Sequence, residues 1–243
     1  MHSVNVWHLF DLRRTQVSIL LIFLLWGTSF TASAQGKGYV RKHLEFYDDK
    51  PIHFGFLFAL PFTRYNARID DGYVSDTTLA LYSPITSAFR MGFTINKVLT
   101  PEFDIRTTPS VTLYDRKLTY HYANRELDKI RESTWIEIPL LLKYKSRRRV
   151  NHRMYLLTGV TLGIETNVKN KVPTGSQQLN TRRSDLTLDY GVGFERFFEF
   201  FKLAPELRFS HGLINMNPGS GIQTMPNVRR LTTHAVTVYL NFE

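Results

Sequence analysis

The sequence predicts an all-β fold: an eight-stranded antiparallel transmembrane β-barrel behind an N-terminal signal peptide. Three observations predict it. Residues 1–34 have the layout of an export leader, the chain after Pro51 carries a period-two apolar pattern in eight segments, and the links between those segments alternate strictly between long and short.

The leader comes first. Arg13 and Arg14 supply a positive flank, Val17 to Trp26 is a ten-residue stretch interrupted only by Ser18, and Ala32-Ser33-Ala34 provides small residues ahead of Gln35. A membrane-spanning helix needs about 20 apolar residues, and this run is much shorter. The expectation is a cleaved signal peptide over 1–34, with Ala32, Ala34 and Gln35 marking the cut. A short periplasmic segment over 35–50 and a barrel over 51–243 then follow. No later stretch approaches the length of a transmembrane helix, which excludes a helical membrane protein and leaves a barrel or a secreted soluble domain.

The strands follow in order. The first alternates Phe54, Phe56, Phe58, Leu60 and Phe62 with His53, Gly55, Leu57, Ala59 and Pro61; the second sets Phe89, Met91, Phe93 and Ile95 against Arg90, Gly92, Thr94 and Asn96. In the third, Phe103, Ile105, Val111 and Leu113 keep the apolar parity while Thr107 and Pro109 interrupt it. The fourth runs Ile136, Ile138, Leu140, Leu142 and Tyr144 opposite Glu137, Pro139, Leu141 and Lys143. The fifth places Met154, Leu156, Val160, Leu162 and Ile164 against Tyr155, Gly159, Thr161, Gly163 and Glu165. The sixth has Leu186, Leu188, Tyr190, Val192 and Phe194 on its apolar side; the seventh Leu203, Leu207 and Phe209; the last Val236, Val238, Leu240 and Phe242. The links near Leu99 to Pro101, Ser146 to Asn151 and Glu199 to Lys202 are short. Those at Thr63 to Pro84, Asp115 to Glu132, Asn167 to Arg183 and Gly212 to Thr232 are long and polar, the asymmetry of periplasmic turns and external loops.

Period two alone does not say which face points outward, because a soluble lipocalin-like barrel shows it too. The polar parity decides for a lumen. It carries Gly55, Gly92, Gly159, Gly163, Gly191 and Gly193, which relieve crowding in a narrow interior. It also carries both signs of charge: Asp104, Glu137, Glu165, Asp189, Glu195 and Glu206 with Arg90, Arg106, Lys143 and Arg208, groups that can satisfy one another inside the barrel. Phe242, one residue from the end, resembles the aromatic C-terminal signal of outer-membrane barrels. The expected location is the bacterial outer membrane, with lipid and the barrel-assembly machinery as partners.

Composition narrows the functional classes. The 243 residues are 43% hydrophobic and contain no cysteine, which removes disulfides, thiolate metal sites and cysteine nucleophiles. The formal charge of +10 is dispersed; its one dense run, Lys145 to Arg149 followed by Asn151, His152 and Arg153, falls in a turn where bases would meet lipid phosphates or an acidic partner. Nucleic acid is not expected after export. Ser210 and His211 are adjacent and so face opposite sides of a strand, while His121 with Asp115, and His234, stand alone in the sequence. No metal spacing, phosphate-binding glycine loop or dinucleotide fingerprint occurs. The expectation is a protein that is not an enzyme, with no cofactor, no metal and no small-molecule substrate. Eight strands also leave an interior that side chains fill, which disfavours open permeation.

One stretch carries a family resemblance. Glu132 to Ser146 reads ESTWIEIPLLLKYKS, with Ser133, Thr134, Glu137, Pro139, Lys143 and Tyr144 as its candidate site positions and Arg148, Asn151, Arg153 and Tyr155-Leu156 behind it. This resembles the strand signature of PorT-type outer-membrane barrels of Bacteroidetes, and the opening Pro51-x-His53-Phe54-Gly55 extends the likeness over nearly the whole mature chain. The resemblance implies a non-enzymatic component of the type IX protein secretion system, with other secretion proteins as partners and a possible part in gliding. The alternative is a small structural or adhesion barrel of the OmpA/OmpX kind, matched in size and needing no secretion partner. Within the motif, Pro139 cannot donate to a ladder and predicts a bulge or a local break in pairing. Glu137 and Lys143 either staple the barrel or serve a partner or gate.

Overall fold

The computed structural model describes residues 41–69, 78–122, 126–168, 181–217 and 228–243. Ala32, Ala34 and Gln35, with the expected signal peptide, lie outside these residues. The described part of the chain forms one closed antiparallel sheet of eleven segments: β1 Ile52–Ile69, β2 Thr78–Tyr82, β3 Thr86–Ser87, β4 Phe89–Val98, β5 Phe103–Thr107, β6 Ser110–Tyr122, β7 Glu126–Lys145, β8 His152–Val168, β9 Ser184–Phe197, β10 Lys202–Gly212 and β11 Val228–Phe242. Closure comes from β1, which pairs with β11 on one edge and with β4 on the other.

The segments reduce to eight staves. β2, β3 and β4 together make the second, since β2 lies on β6, β3 on β1, and β4 between β1 and the third stave. β5 and β6 are the third, split only at Thr108-Pro109. Its register against β4 runs through the split without a shift, from Ile95↔Thr107 to Gly92↔Ser110. The remaining staves pair in chain order.

The two faces differ as the parity requires. Phe54 and Phe93 are 70% and 69% exposed on the outer wall, whereas Asp104, Arg106, Lys143 and Glu195 are fully buried inside. A water-soluble barrel would reverse this, because burial of apolar side chains is what drives folding in water. Hydrocarbon is the solvent that accepts such a wall. On β1 the outward apolar run extends from Ile52 to Phe62, which at about 3.3 Å per residue and a tilt of roughly 40° spans about 25 Å, the height of the apolar band of outer-membrane barrels.

Three expectations are refined. First, two of the links read as long and polar are largely strand: β1 continues to Ile69 and is followed by β2, and β6 and β7 pair as far as His121↔Glu126. Interstrand hydrogen bonds need no apolar side chains, so the ladder runs on past the hydrocarbon edge where the hydrophobic pattern stops. Second, of the two alternatives at Pro139 the structure has the break in pairing and not the bulge. Pro139 pairs with Thr161 in regular register, and the irregularity of β7 lies between Thr134 and Trp135. The break in pairing is on its other side, opposite the Thr108-Pro109 split, so the hydrogen-bond donor that proline lacks has no partner waiting. Third, the glycines have two reasons to be there. A Cβ on Gly163 or Gly193 would meet the ring of Trp135 or Tyr155, which is lumen crowding. A Cβ on Gly55, Gly92, Gly159 or Gly191 would instead strike a carbonyl of the neighbouring strand, as one on Gly92 would strike Pro109 O. At those four positions the strands approach too closely for any side chain.

Candidate functional site in the barrel lumen

The inward side chains of seven staves converge on a charged network at the end bearing the short turns. Its centre is Glu195 of β9, which accepts from Lys143 of β7 and Arg153 of β8, and from Lys202 of β10 at 3.0 Å, with Arg106 of β5 at 3.9 Å. Arg106 bridges onward to Glu206 at 3.3 Å and Glu243 at 2.9 Å. Glu206 in turn receives Arg208 at 2.6 Å and the Tyr155 hydroxyl at 2.8 Å. Asp104 takes Lys145 at 2.7 Å and Asn96 at 3.0 Å. Such a network is tolerated in a low-dielectric interior because each ion has several opposite partners and hydrogen bonds.

A second cluster lies toward the other end. Arg90 of β4 pairs with Glu137 of β7 and donates to Thr112 and Tyr114, each at 2.8 Å, while Tyr114 donates to Glu137 at 2.7 Å. Arg131 clamps Glu165 with bonds of 2.9 and 2.5 Å. Asp189 accepts from Thr161 at 2.5 Å and Thr187 at 2.9 Å. The Arg116 guanidinium lies 3.8 Å from the centre of the Tyr114 ring, and that of Arg208 lies 4.1 Å from Tyr239. The space left beside Arg90, Arg116, Trp135 and Asp185 is a cavity of about 30 Å³. This is too small for anything but solvent.

The short-turn mouth is covered by the segment ahead of β1. Tyr47 puts its hydroxyl into the opening, donating to Glu243 at 2.6 Å and accepting from Lys202 at 2.7 Å. Its ring stacks on His53 at 4.0 Å and meets Phe197 edge-on at 5.5 Å. Asp48 holds Arg153 at 2.8 Å, and Arg148 folds beneath the barrel to donate to His43 O and Leu44 O while lying 3.6 Å over Phe197. Desolvation, with the adjacent Glu243 carboxylate, pushes the Tyr47 phenol above its ordinary range, so it remains a hydrogen-bond donor. Because the ring is only half-buried, Tyr47→Ala is expected to cost about 2 kcal/mol. It should also expose residues 42–50 to protease. Limited proteolysis of the folded protein in detergent reads the second effect, and equal resistance of variant and parent would show the contacts to be incidental.

An outward phenylalanine wall around a filled, charged lumen now has a counterpart among known families. The outer membrane protein beta-barrel domain family matches residues 26–217. The chain belongs to that family. It is therefore an outer-membrane protein, as the wall requires. Solved structures similar to it include OprG of Pseudomonas aeruginosa, at 12% identity over 77% of this chain and 94% of that one with a TM-score of 0.46. Neisserial surface protein A is similar at 10% identity over 79% and 98%, with a TM-score of 0.42. Ail of Yersinia pestis is similar at 9% over 79% and 98%, with a TM-score of 0.34. Among curated proteins nothing matches.

The structure places Arg90, Asp104, Arg106, Glu165, Asp189, Glu195, Glu206 and Arg208 inside, distributed between the two clusters, together with Ser133, Glu137, Pro139 and Lys143 of the motif. Thr134 and Tyr144 do not join them. Both lie on the outer face, where Tyr144 packs 5.2 Å from Phe103. Phe242 also faces outward, stacked 5.1 Å from Phe56. The basic run divides: Lys145 and Arg153 turn into the lumen and Arg148 under it, leaving Arg147 and Arg149 exposed. Lys145 and Arg153, like the unanticipated Lys202, share the inward parity of Lys143, Tyr155 and Glu206, a signal that the density of charge around the turn obscured. His234 is not alone. Cross-strand register brings it to His211, with the two Nδ1 atoms 2.7 Å apart.

Gly193 is the tightest fit in the network. A Cβ there would stand 2.1 Å from Cζ of Tyr155, the ring that holds Glu206. Gly193→Ala is expected to destabilise the barrel by about 1 to 3 kcal/mol through overpacking. The same change in a Tyr155→Ala background should be nearly neutral, because the obstructing ring is gone. A double-mutant cycle on urea unfolding measures both, and simple additivity would refute the steric account.

Proposed function

We propose that this protein is a closed, non-enzymatic barrel with a structural or adhesive role, working through its outer strand extensions, its loops and its wall. The observation that carries this reading is the filled lumen: among the described residues, buried ion pairs from seven staves occupy the interior and Tyr47 covers its short-turn mouth. A plugged interior is a scaffold, and what remains available for contact is the exterior. Purified protein in a planar bilayer is expected to give no stepwise conductance. Cells lacking it are expected to lose envelope integrity or adherence while exporting proteins normally. Stable single-channel steps, or a deletion strain with failed cargo export and intact adherence, would overturn the proposal.

The second reading, a PorT-like part in type IX secretion, is favoured by the residues Glu132 to Ser146 and the motif positions behind them. On that reading the partner contacts are made at the short-turn end, where Arg147 and Arg149 are exposed beside the turn of Phe198 to Phe201. Copurification of secretion proteins with the tagged barrel from detergent-solubilised membranes supports this reading. Recovery of the barrel alone supports the first.

A further inference from the structure

Just beyond the apolar wall, at the end bearing the long links, the outward residues differ sharply from one side of the barrel to the other. On β1 the run ending at Phe62 is followed on the same face by Arg64, Asn66 and Arg68, all exposed. The register sets Arg64 beside His234 and Arg68 beside Arg230 of β11, and His234 beside His211 of β10. On the β6–β7 side the corresponding outward positions place Asp115 opposite Glu132, and the base that follows, Lys117, is neutralised by Asp128 at 2.7 Å. Arg64, Arg68 and Arg230 thus form an arc of bases on the β1–β11 side. Among the described residues Arg64, Arg68 and Arg230 make no ion pair; Arg230 donates only to Leu213 O, at 3.5 Å.

The arc is also ordered from below. A row of polar groups crosses four strands, from Tyr190 hydroxyl to His211 Nε2 at 2.9 Å, from His211 Nδ1 to His234 Nδ1 at 2.7 Å, and from His234 Nε2 to Asn66 Nδ2 at 3.4 Å. Tyr190 anchors this row to the wall, with its ring stacked between Phe209 at 5.6 Å and His211 at 5.5 Å. An amphipathic tyrosine under a line of imidazoles and guanidinium forks marks the depth at which hydrocarbon gives way to headgroups. Guanidinium groups there match phosphate oxygens in pairs.

We propose that Arg64, Arg68 and Arg230, with His234 beside Arg64 and His211 next to it, bind the phosphorylated headgroup of an outer-leaflet lipid whose acyl chains lie along Leu60, Phe62, Val236 and Val238. The site is independent of the structural or secretion role, since it needs only the orientation of the wall. Charge complementarity selects the occupant: an anionic headgroup held at a fixed height by the chains below it gains both the guanidinium contacts and the apolar face.

Native mass spectrometry of the full folded protein in neutral detergent, titrated with bis-phosphorylated lipid A, tests the assignment. The Arg64→Ala, Arg68→Ala, Arg230→Ala triple variant is expected to bind about a hundredfold more weakly, and Arg64→Glu alone to weaken binding as well. Heat-modifiable gel mobility verifies that each variant is folded. Arg147→Ala with Arg149→Ala, at the opposite end, should bind like the parent. Dephosphorylated lipid A should bind the parent weakly, and inorganic phosphate at equal concentration should not displace the lipid. Undiminished binding by the folded triple variant and by Arg64→Glu would overturn the proposal. So would equal retention of the dephosphorylated lipid, or displacement by inorganic phosphate.

Discussion

Replacing Glu195 with glutamine is expected to lower the stability of the folded barrel by about 3 to 5 kcal/mol, the cost of stranding buried charges. The substitution keeps the shape of the side chain and removes the one anion shared by Lys143, Arg153, Lys202 and, at longer range, Arg106. Those four bases then have only Glu206, Glu243, Asp104 and Asp48 among their ion-pair partners, and each of these already serves another base or lies at the rim. In a chain lacking residues 1–34, Trp135 is the sole tryptophan. It is buried in the lumen beside Tyr114, so its fluorescence reports urea unfolding from inside the barrel. Adding Lys143→Met to Glu195→Gln should return part of the loss by removing one stranded cation. A Glu195→Gln protein as stable as the parent would mean that the network is ornamental to folding.

The second large effect is expected at Phe58. It lies near the middle of the outward run of β1 and packs within 6.5 Å, centre to centre, of Phe56, Phe89 and Phe242. Phe58→Arg puts a guanidinium near the bilayer midplane, at a cost of about 2 to 4 kcal/mol. Phe62→Arg, next to Arg64 at the edge of the wall, should cost less than about 1 kcal/mol. Unfolding of the two variants from lipid vesicles gives the comparison directly. Equal penalties would mean that the hydrocarbon band is not centred where the structure places it.

The depth dependence expected at Phe58 and Phe62 rests on information that one strand carries unaided. A residue's parity in a period-two run states which face it joins, so Phe54 to Phe62 could be assigned to the wall and Arg90, Asp104, Glu195 and Arg208 to the interior without coordinates. The same rule assigns Lys145, Arg153 and Lys202. They were obscured because they sit at the ends of strands, where a cluster of bases resembles a solvated turn. The strand extensions past Phe62 and Leu113 were hidden for a different reason: hydropathy reports where lipid is, whereas the ladder depends on backbone groups that every residue except proline supplies in full.

Thus the amino-acid pattern determined the strands, their faces, the eightfold count and the membrane as solvent. Tertiary structure decided the partners: that Glu195 meets Lys143, 52 positions away, that His211 meets His234, and that Tyr47 fills the mouth. The physical reason is register. Which inward side chains meet across a closed barrel depends on the stagger accumulated around the ring, a property of all eight staves together that no single strand encodes.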